Sequence, residues 1–253
     1  MNNKKNENIN NKYYRENSRK YEGKLIGQDA PFGITEAFKM IRTNLIYSTS
    51  SEGCPVFAVT SAYANTGKSV VISNIAMSFA QLDKKVLLID GDMRRPTVHK
   101  IFGADNNGGL SEIILGVDKD AKYSDYLRDT PNSNFKIITS GHVPLNPSEL
   151  LSSIQFEKFI NEMRNNFDCI FIDLPPIGVV SDAGIVAKHI SGYLIVVRSG
   201  QTEYRTIDNA IEALNQTKAN ILGFVLNEVN PKINKYKKGY SRYDKYDSNW
   251  IPI

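Results

Sequence analysis

Gly67-Lys68-Ser69 follows the apolar run Val56-Phe-Ala-Val-Thr60 and the loop Ser61-Ala-Tyr-Ala-Asn-Thr66, and it opens a stretch with apolar residues at helical spacing. A strand, a loop and a helix N-terminus in that order can encircle a polyphosphate. Successive backbone N–H groups face the anion, a lysine adds a point charge and a hydroxyl serves Mg²⁺. Asn65, Thr66, Gly67, Lys68, Ser69 and Val70 are therefore the candidate nucleotide-binding residues. The pattern G-x-x-x-x-G-K-S is not fully kept, because Ala62 stands first and Ala64-Asn65-Thr66 leaves the loop a single glycine. Asn65 must then adopt a backbone conformation that glycine would take more easily.

Carboxylates supply the second half of the chemistry. Leu87-Leu-Ile-Asp90-Gly-Asp92-Met-Arg94 and Cys169-Ile-Phe-Ile-Asp173 are apolar runs ending in aspartate. In a parallel sheet the strand C-termini border the ligand crevice, so Asp90, Asp92 and Asp173 should gather beside the phosphates, with Arg94 close by. A single strand-end aspartate is commonly a cap or turn residue. Three of them beside a phosphate loop instead suit Mg²⁺ binding, with Ser69, Asp90 and Asp173 as candidate ligands.

The elements that must position these groups follow from alternation of short β-rich runs with helical patterns. Strands are expected at 56–60, 86–90, 135–139, 169–173, 193–198 and 221–226, and helices at 34–47 (capped by Thr35), 69–82, 154–163 and 206–214. The predicted fold is α/β, a mostly parallel P-loop-type sheet with helices on both faces. Residues 25–231 form the expected domain. The polar segment 1–24 is expected to be a disordered basic tail, and 232–253 a tyrosine-rich one.

Composition excludes several alternatives. Two cysteines and three scattered histidines give neither a disulfide framework nor a zinc site. The longest apolar runs are too short to span a bilayer, and 1–24 has no apolar signal core, so a cytoplasmic protein is expected. Net charge is +4. Residues 1–24 and 232–247 each contribute +4, which leaves the remainder at −4. Basic tails on an acidic body can approach anionic surfaces or the body of another copy.

Taken together, Gly67-Lys68-Ser69, Ile89-Asp-Gly-Asp-Met-Arg-Arg-Pro96, Asn146-Pro-Ser-Glu-Leu-Leu151, Ile172-Asp-Leu-Pro-Pro176 and Ser181-Asp-Ala183 resemble the bacterial tyrosine kinases of capsule and exopolysaccharide operons, whose fold is like that of the MinD/ParA ATPases. The resemblance covers most of 34–227. It implies ATP and Mg²⁺ as cofactors, Lys68 on the phosphates, Ser69 and Asp173 on the metal, and Asp90 or Asp92 assisting deprotonation of a tyrosine. It implies autophosphorylation of a C-terminal cluster, here Tyr236, Tyr240, Tyr243 and Tyr246, and regulation of polysaccharide polymerisation and export.

A homo-oligomer, a cognate tyrosine phosphatase and a separate transmembrane activator of the chain-length-determinant type, recruiting the kinase to the inner face of the membrane, are likewise implied. No nucleic-acid partner is expected. Glu36, Lys39 and Arg42 resemble the family's Glu-x-x-Arg-x-x-Arg oligomerisation motif within 34–50, with lysine in place of the first arginine and its bidentate fork lost.

Two rival readings remain. A positioning ATPase of the MinD/ParA kind would carry a lysine early in the loop, where this chain has Tyr63. A non-catalytic ATP-binding scaffold would explain the unusual Ala64-Asn65-Thr66, but not the intact Lys68, Ser69, Asp90, Asp92 and Asp173.

Overall fold

The computed structural model describes residues 25–27, 30–49, 53–118 and 120–229. Both expected tails, and with them the four candidate phosphoacceptor tyrosines, lie outside the described residues. Helix α1 (Phe32–Ser48) precedes β1 (Val56–Ser61), α2 (Lys68–Ala80) and β2 (Val86–Asp90). Short helices α3 (Val98–Phe102) and α4 (Leu110–Leu115) lead to β3 (Arg128–Asp129) and β4 (Phe135–Ile138). Then come α5 (Pro147–Ser152), α6 (Ile154–Asn166), β5 (Cys169–Asp173), α7 (Asp182–Ile185), β6 (Gly192–Arg198), α8 (Tyr204–Gln216) and β7 (Ile221–Asn227).

The strands form one sheet in the order β3-β4-β2-β5-β1-β6-β7. All pairings are parallel except that of the two-residue edge strand β3 with β4. β1, β2 and β5 are buried along their whole length, as strands covered on both faces must be. Their side chains divide by period two. Phe57, Val59, Leu88 and Phe171 pack beneath α2 with Ile72, Ile75 and Phe79. Ala58, Leu87, Ile89, Ile170 and Ile172 face α6 and α8 through Phe156, Phe159, Ile160, Ala210 and Leu214.

In α2 every residue except Val70 is buried, because α1 lies over its outer side with Leu45, Phe38 and Ile41 against the same apolar layer. The chain runs leftward from β1 to β2 and rightward from β5 to β6. Neighbouring β1 and β5 therefore send their connections in opposite directions, which opens a crevice at their C-terminal ends.

Each expected strand is present within a residue or so of its predicted ends; three of the four expected helices run one to three residues further at one or both ends, and the one expected at 69–82 spans Lys68–Ala80, stopping two residues short. One detail is corrected. The first helix is capped by Pro31, not Thr35, whose hydroxyl only reaches back to the Pro31 carbonyl at 3.5 Å. Proline fixes φ for helix entry and has no N–H to satisfy, so the helix starts at Phe32, two residues earlier than expected.

Candidate functional site

The phosphate loop connects β1 to α2. Gly67 takes a left-handed conformation (φ 86°) immediately before Lys68 starts the helix, and Asn65, with an L side chain, is also left-handed (φ 64°). The sequence expectation for Asn65 is thus met: asparagine tolerates this region better than most residues.

Asp90 and Asp173 stand opposite one another in the parallel register of β2 and β5, and Asp173 is also paired with Val59 of β1. The register places the loop and two strand-end carboxylates at one crevice. The Lys68 ammonium spans it, 2.9 Å from Asp92 Oδ2 and 3.2 Å from Asp173 Oδ1. Burial works against that ammonium, but the charges of Asp173 and Asp92 outweigh burial and hold its pKa above the usual lysine value.

The aspartates differ sharply in what they touch. Asp90 is fully buried, and its Oδ2 accepts from the N–H groups of Thr97 and Val98, both at 2.9 Å, while Oδ1 accepts from Asp92 N at 3.3 Å. Burial first, and the Asp173 charge second, push its carboxyl up to about 8 against those N–H bonds and Lys68. Burial also raises Asp173, with Lys68 and Ser69 acting in the opposite sense. Asp92 lines the cleft and turns its other oxygen to Arg95 N at 3.0 Å. Asp90 thus folds the segment that carries Asp92 to the rim.

A cleft of about 360 Å³ opens over these groups, bounded by Asn65, Lys68, Ser69, Asp92, Arg94 and Pro176 among others. A larger cavity, about 710 Å³, lies around Lys85, Lys122, Tyr123 and Phe167, and none of the three carboxylates lines it. By chemistry rather than size, the smaller one is the candidate site. Two buried oxygens of the phosphate loop and the β5 end, Thr66 Oγ1 and Asp173 Oδ2, have no hydrogen-bond partner among the described residues. Buried oxygens without partners are costly unless a ligand completes them.

Arg94 is engaged elsewhere. Its Nε and Nη2 donate to Asp182 Oδ2 and Oδ1 at 2.9 and 3.1 Å, and Nη2 also donates to Ser148 Oγ at 2.9 Å. Ser148 Oγ in turn donates to Asp182 Oδ1 at 2.6 Å. This network joins the segments Asn146–Leu151 and Ser181–Ala183 to the post-β2 loop. Asp182 and Ser148 had no role in the sequence reading; their membership of those two segments was the available signal. Arg198, Asn227 and Thr202, which hold the phosphate loop, carried no such signal.

Glu36, Lys39 and Arg42 lie far from this cleft on α1. Lys39 pairs with Glu36 at 2.7 Å, and the Arg42 guanidinium donates to the Ser78 carbonyl of α2.

The chain is similar to known proteins over most of its length. A family model described as an AAA domain matches residues 56–233. A putative tyrosine-protein kinase, CapB of Staphylococcus aureus, is 37% identical over 196 residues, covering 78% of this chain and 85% of the relative. The tyrosine-protein kinase YwqD of Bacillus subtilis is 35% identical over 214 residues, covering 85% and 88%. The chain belongs to the bacterial tyrosine kinases. Among solved structures, the kinase domain of Escherichia coli tyrosine kinase ETK superposes with a TM-score of 0.74 at 32% identity, covering 79% of this chain and 78% of that one. This bacterial tyrosine kinase accordingly has the P-loop fold and the protein-tyrosine kinase activity that its sequence suggested. Among the described residues no helix is long and apolar enough to cross a membrane.

Proposed function

We propose that this kinase transfers the γ-phosphoryl group of ATP to the tyrosines Tyr236, Tyr240, Tyr243 and Tyr246 of its own C-terminal segment. Lys68, bridging Asp92 and Asp173 at the cleft mouth, is the observation that carries this reading. An ammonium held by two carboxylates is presented at the height of the helix N-terminus, and arriving phosphate oxygens compete for it. Gly67, Lys68, Ser69 and Val70 offer their N–H groups or side chains to the β- and γ-phosphates, with Asn65 and Thr66 shaping the approach.

The residues fit Mg²⁺. Asp173 Oδ2 is buried without a partner, and Ser69 opens the adjacent helix. Mg²⁺ keeps waters and takes one or two protein ligands plus phosphate oxygens, so Ser69 and Asp173 suffice, and Asp90, spent on backbone N–H groups, is not required as a direct ligand. When bound, the ion supplies positive charge at the transferred phosphate. Asp92, the carboxylate on the cleft surface, accepts the tyrosine proton once phosphate has drawn Lys68 away. Asp90 acts beneath it by fixing the loop.

Phosphorylation adds roughly −1.5 to −2 charge per tyrosine. Four additions reverse the +4 of residues 232–247 and turn attraction to the acidic body of a neighbouring copy into repulsion. Cycling between associated and dispersed copies, opposed by a phosphatase and started by a transmembrane activator that brings the kinase to the membrane, regulates polymerisation and export of a capsular or exopolysaccharide. Glu36, Lys39 and Arg42 contribute to the contact between copies.

Intact-mass spectrometry of the chain incubated with Mg-ATP and the activator's cytoplasmic segment tests this. Up to about four phosphate increments are expected, lost in Lys68→Met and in a variant with all four tail tyrosines changed to Phe. Increments that persist in the four-Phe variant would place the acceptors elsewhere.

A further inference from the structure

We propose that Arg198 and Asn227 are positioning residues for the phosphate loop, gripping from outside a loop whose own sequence lacks the glycines to hold its shape. The inference rests on that loop being the nucleotide site. Asn65 sits in the left-handed region, which is strained for L residues other than glycine and persists where surrounding contacts impose it.

Those contacts come from distant elements. Arg198 Nη1 donates to the Asn65 carbonyl at 3.2 Å, and Asn227 Nδ2 donates to the Thr66 carbonyl at 2.9 Å. A Cβ on Gly67 would meet Asn227 Nδ2 at 2.2 Å, so the Asn227 amide lies directly on the glycine backbone. Two adjacent carbonyls are thereby turned out of the cleft. Within a trans peptide unit the N–H points opposite to the C=O, so the N–H groups of Thr66 and Gly67 are turned toward it.

The clamp is itself anchored. Arg198 N donates to Thr202 Oγ1 at 2.9 Å, and the same hydroxyl pairs with Tyr63 Oη at 2.9 Å. The Arg198 guanidinium also forms an ion pair with Glu228, which is left-handed (φ 54°) just beyond β7. Tyr63, where a positioning ATPase would carry lysine, is thus part of the grip. One planar guanidinium serves Asn65 and Glu228 together, a geometry that lysine cannot reproduce.

The test is equilibrium binding of a fluorescent N-methylanthraniloyl-ADP with Mg²⁺ to the full chain, with melting midpoints recorded with and without nucleotide. Arg198→Gln should weaken binding about tenfold, the size of one charge-assisted hydrogen bond. Arg198→Lys should fall between it and the unaltered chain. Asn65→Gly placed in the Arg198→Gln background should recover roughly threefold or more of the loss, because glycine adopts φ > 0 without outside help. A merely structural role for Arg198 would give no such recovery.

Binding by Arg198→Gln within about twofold of the unaltered chain, or a loss that Asn65→Gly leaves untouched, overturns the proposal. If Arg198→Gln does not fold, Asn227→Ser with and without Asn65→Gly is read by the same criteria. Failure of the unaltered chain to bind the probe would overturn the nucleotide-site reading and the clamp with it, whereas failure of the rescue alone overturns only the clamp.

Discussion

Two loops leave the top of the sheet beside each other and are built in opposite ways. The segment from Asp90 to Val98 organises itself: Asp90 accepts from Asp92, Thr97 and Val98 N–H groups, and Asp92 from Arg95 N. Its longer reaches are Arg94 to Asp182 and Ser148, Gly91 N to the Asp173 carbonyl and Asp92 to Lys68. The phosphate loop instead leans on residues 133 and 161 positions away in sequence, Arg198 and Asn227. A loop with carboxylates can fold around its own N–H groups, whereas one with a single glycine and no carboxylate borrows restraints from elsewhere.

Three substitutions would break or sharpen this contrast. The largest effect is expected for Asp182→Asn. Removing one charge of a buried pair costs about 3–5 kcal/mol, and the half-exposed Arg94 side chain puts this pair near the low end. Urea unfolding measures it, and Arg94→Lys, which keeps charge but loses the fork, should cost less. A loss under about 1 kcal/mol would mean that the post-β2 loop needs no remote strap at all.

Next comes Asp90→Asn, expected to cost about 2 kcal/mol because an amide NH₂ replaces one of two oxygens that face three N–H groups. This residue also carries a pH signature. Its carboxyl is raised from 3.8 to about 8, so the folded chain holds the proton more tightly than the unfolded one. The stability it contributes is full below the unfolded pKa and is lost as pH rises through about 8. Denaturation midpoints of the nucleotide-free kinase at pH 6 and pH 8.5 should therefore fall with pH, and fall less in Asp90→Asn. Equal slopes would assign the titration to another group.

The smallest expected effect is Asn65→Ala, at about 1 kcal/mol, with Asn65→Gly neutral or stabilising. A neutral alanine would imply that the clamp imposes the left-handed turn on any side chain.

What the sequence disclosed follows the same division. Apolar runs ending in Asp90 and Asp173 announced both the strands and the carboxylates at their ends, since burial on two faces leaves continuous apolar stretches and the polar residues sit at or just beyond their ends. Lys68 and Ser69 were legible because the loop chemistry is local. Short helices such as α3, α4 and α7 were not, because four to six residues carry too little periodicity. Nor were the partners of Arg94 and Asn65: Asp182 and Arg198 become neighbours only through sheet register. Arg42 is a further instance, its guanidinium resting on the Ser78 carbonyl, which no pattern along α1 could specify.

β7 ends at Asn227, whose amide lies on Gly67, so the chain beyond it departs from the rim of its own nucleotide cleft. From Glu228, the contour to Tyr236 is at most about 27 Å and to Tyr246 about 60 Å, at roughly 3.4 Å per residue. Chain length alone therefore caps how far from Glu228 each proposed acceptor can stand. Under the proposed autophosphorylation, that cap bounds how far across a gap between copies each tyrosine can be presented.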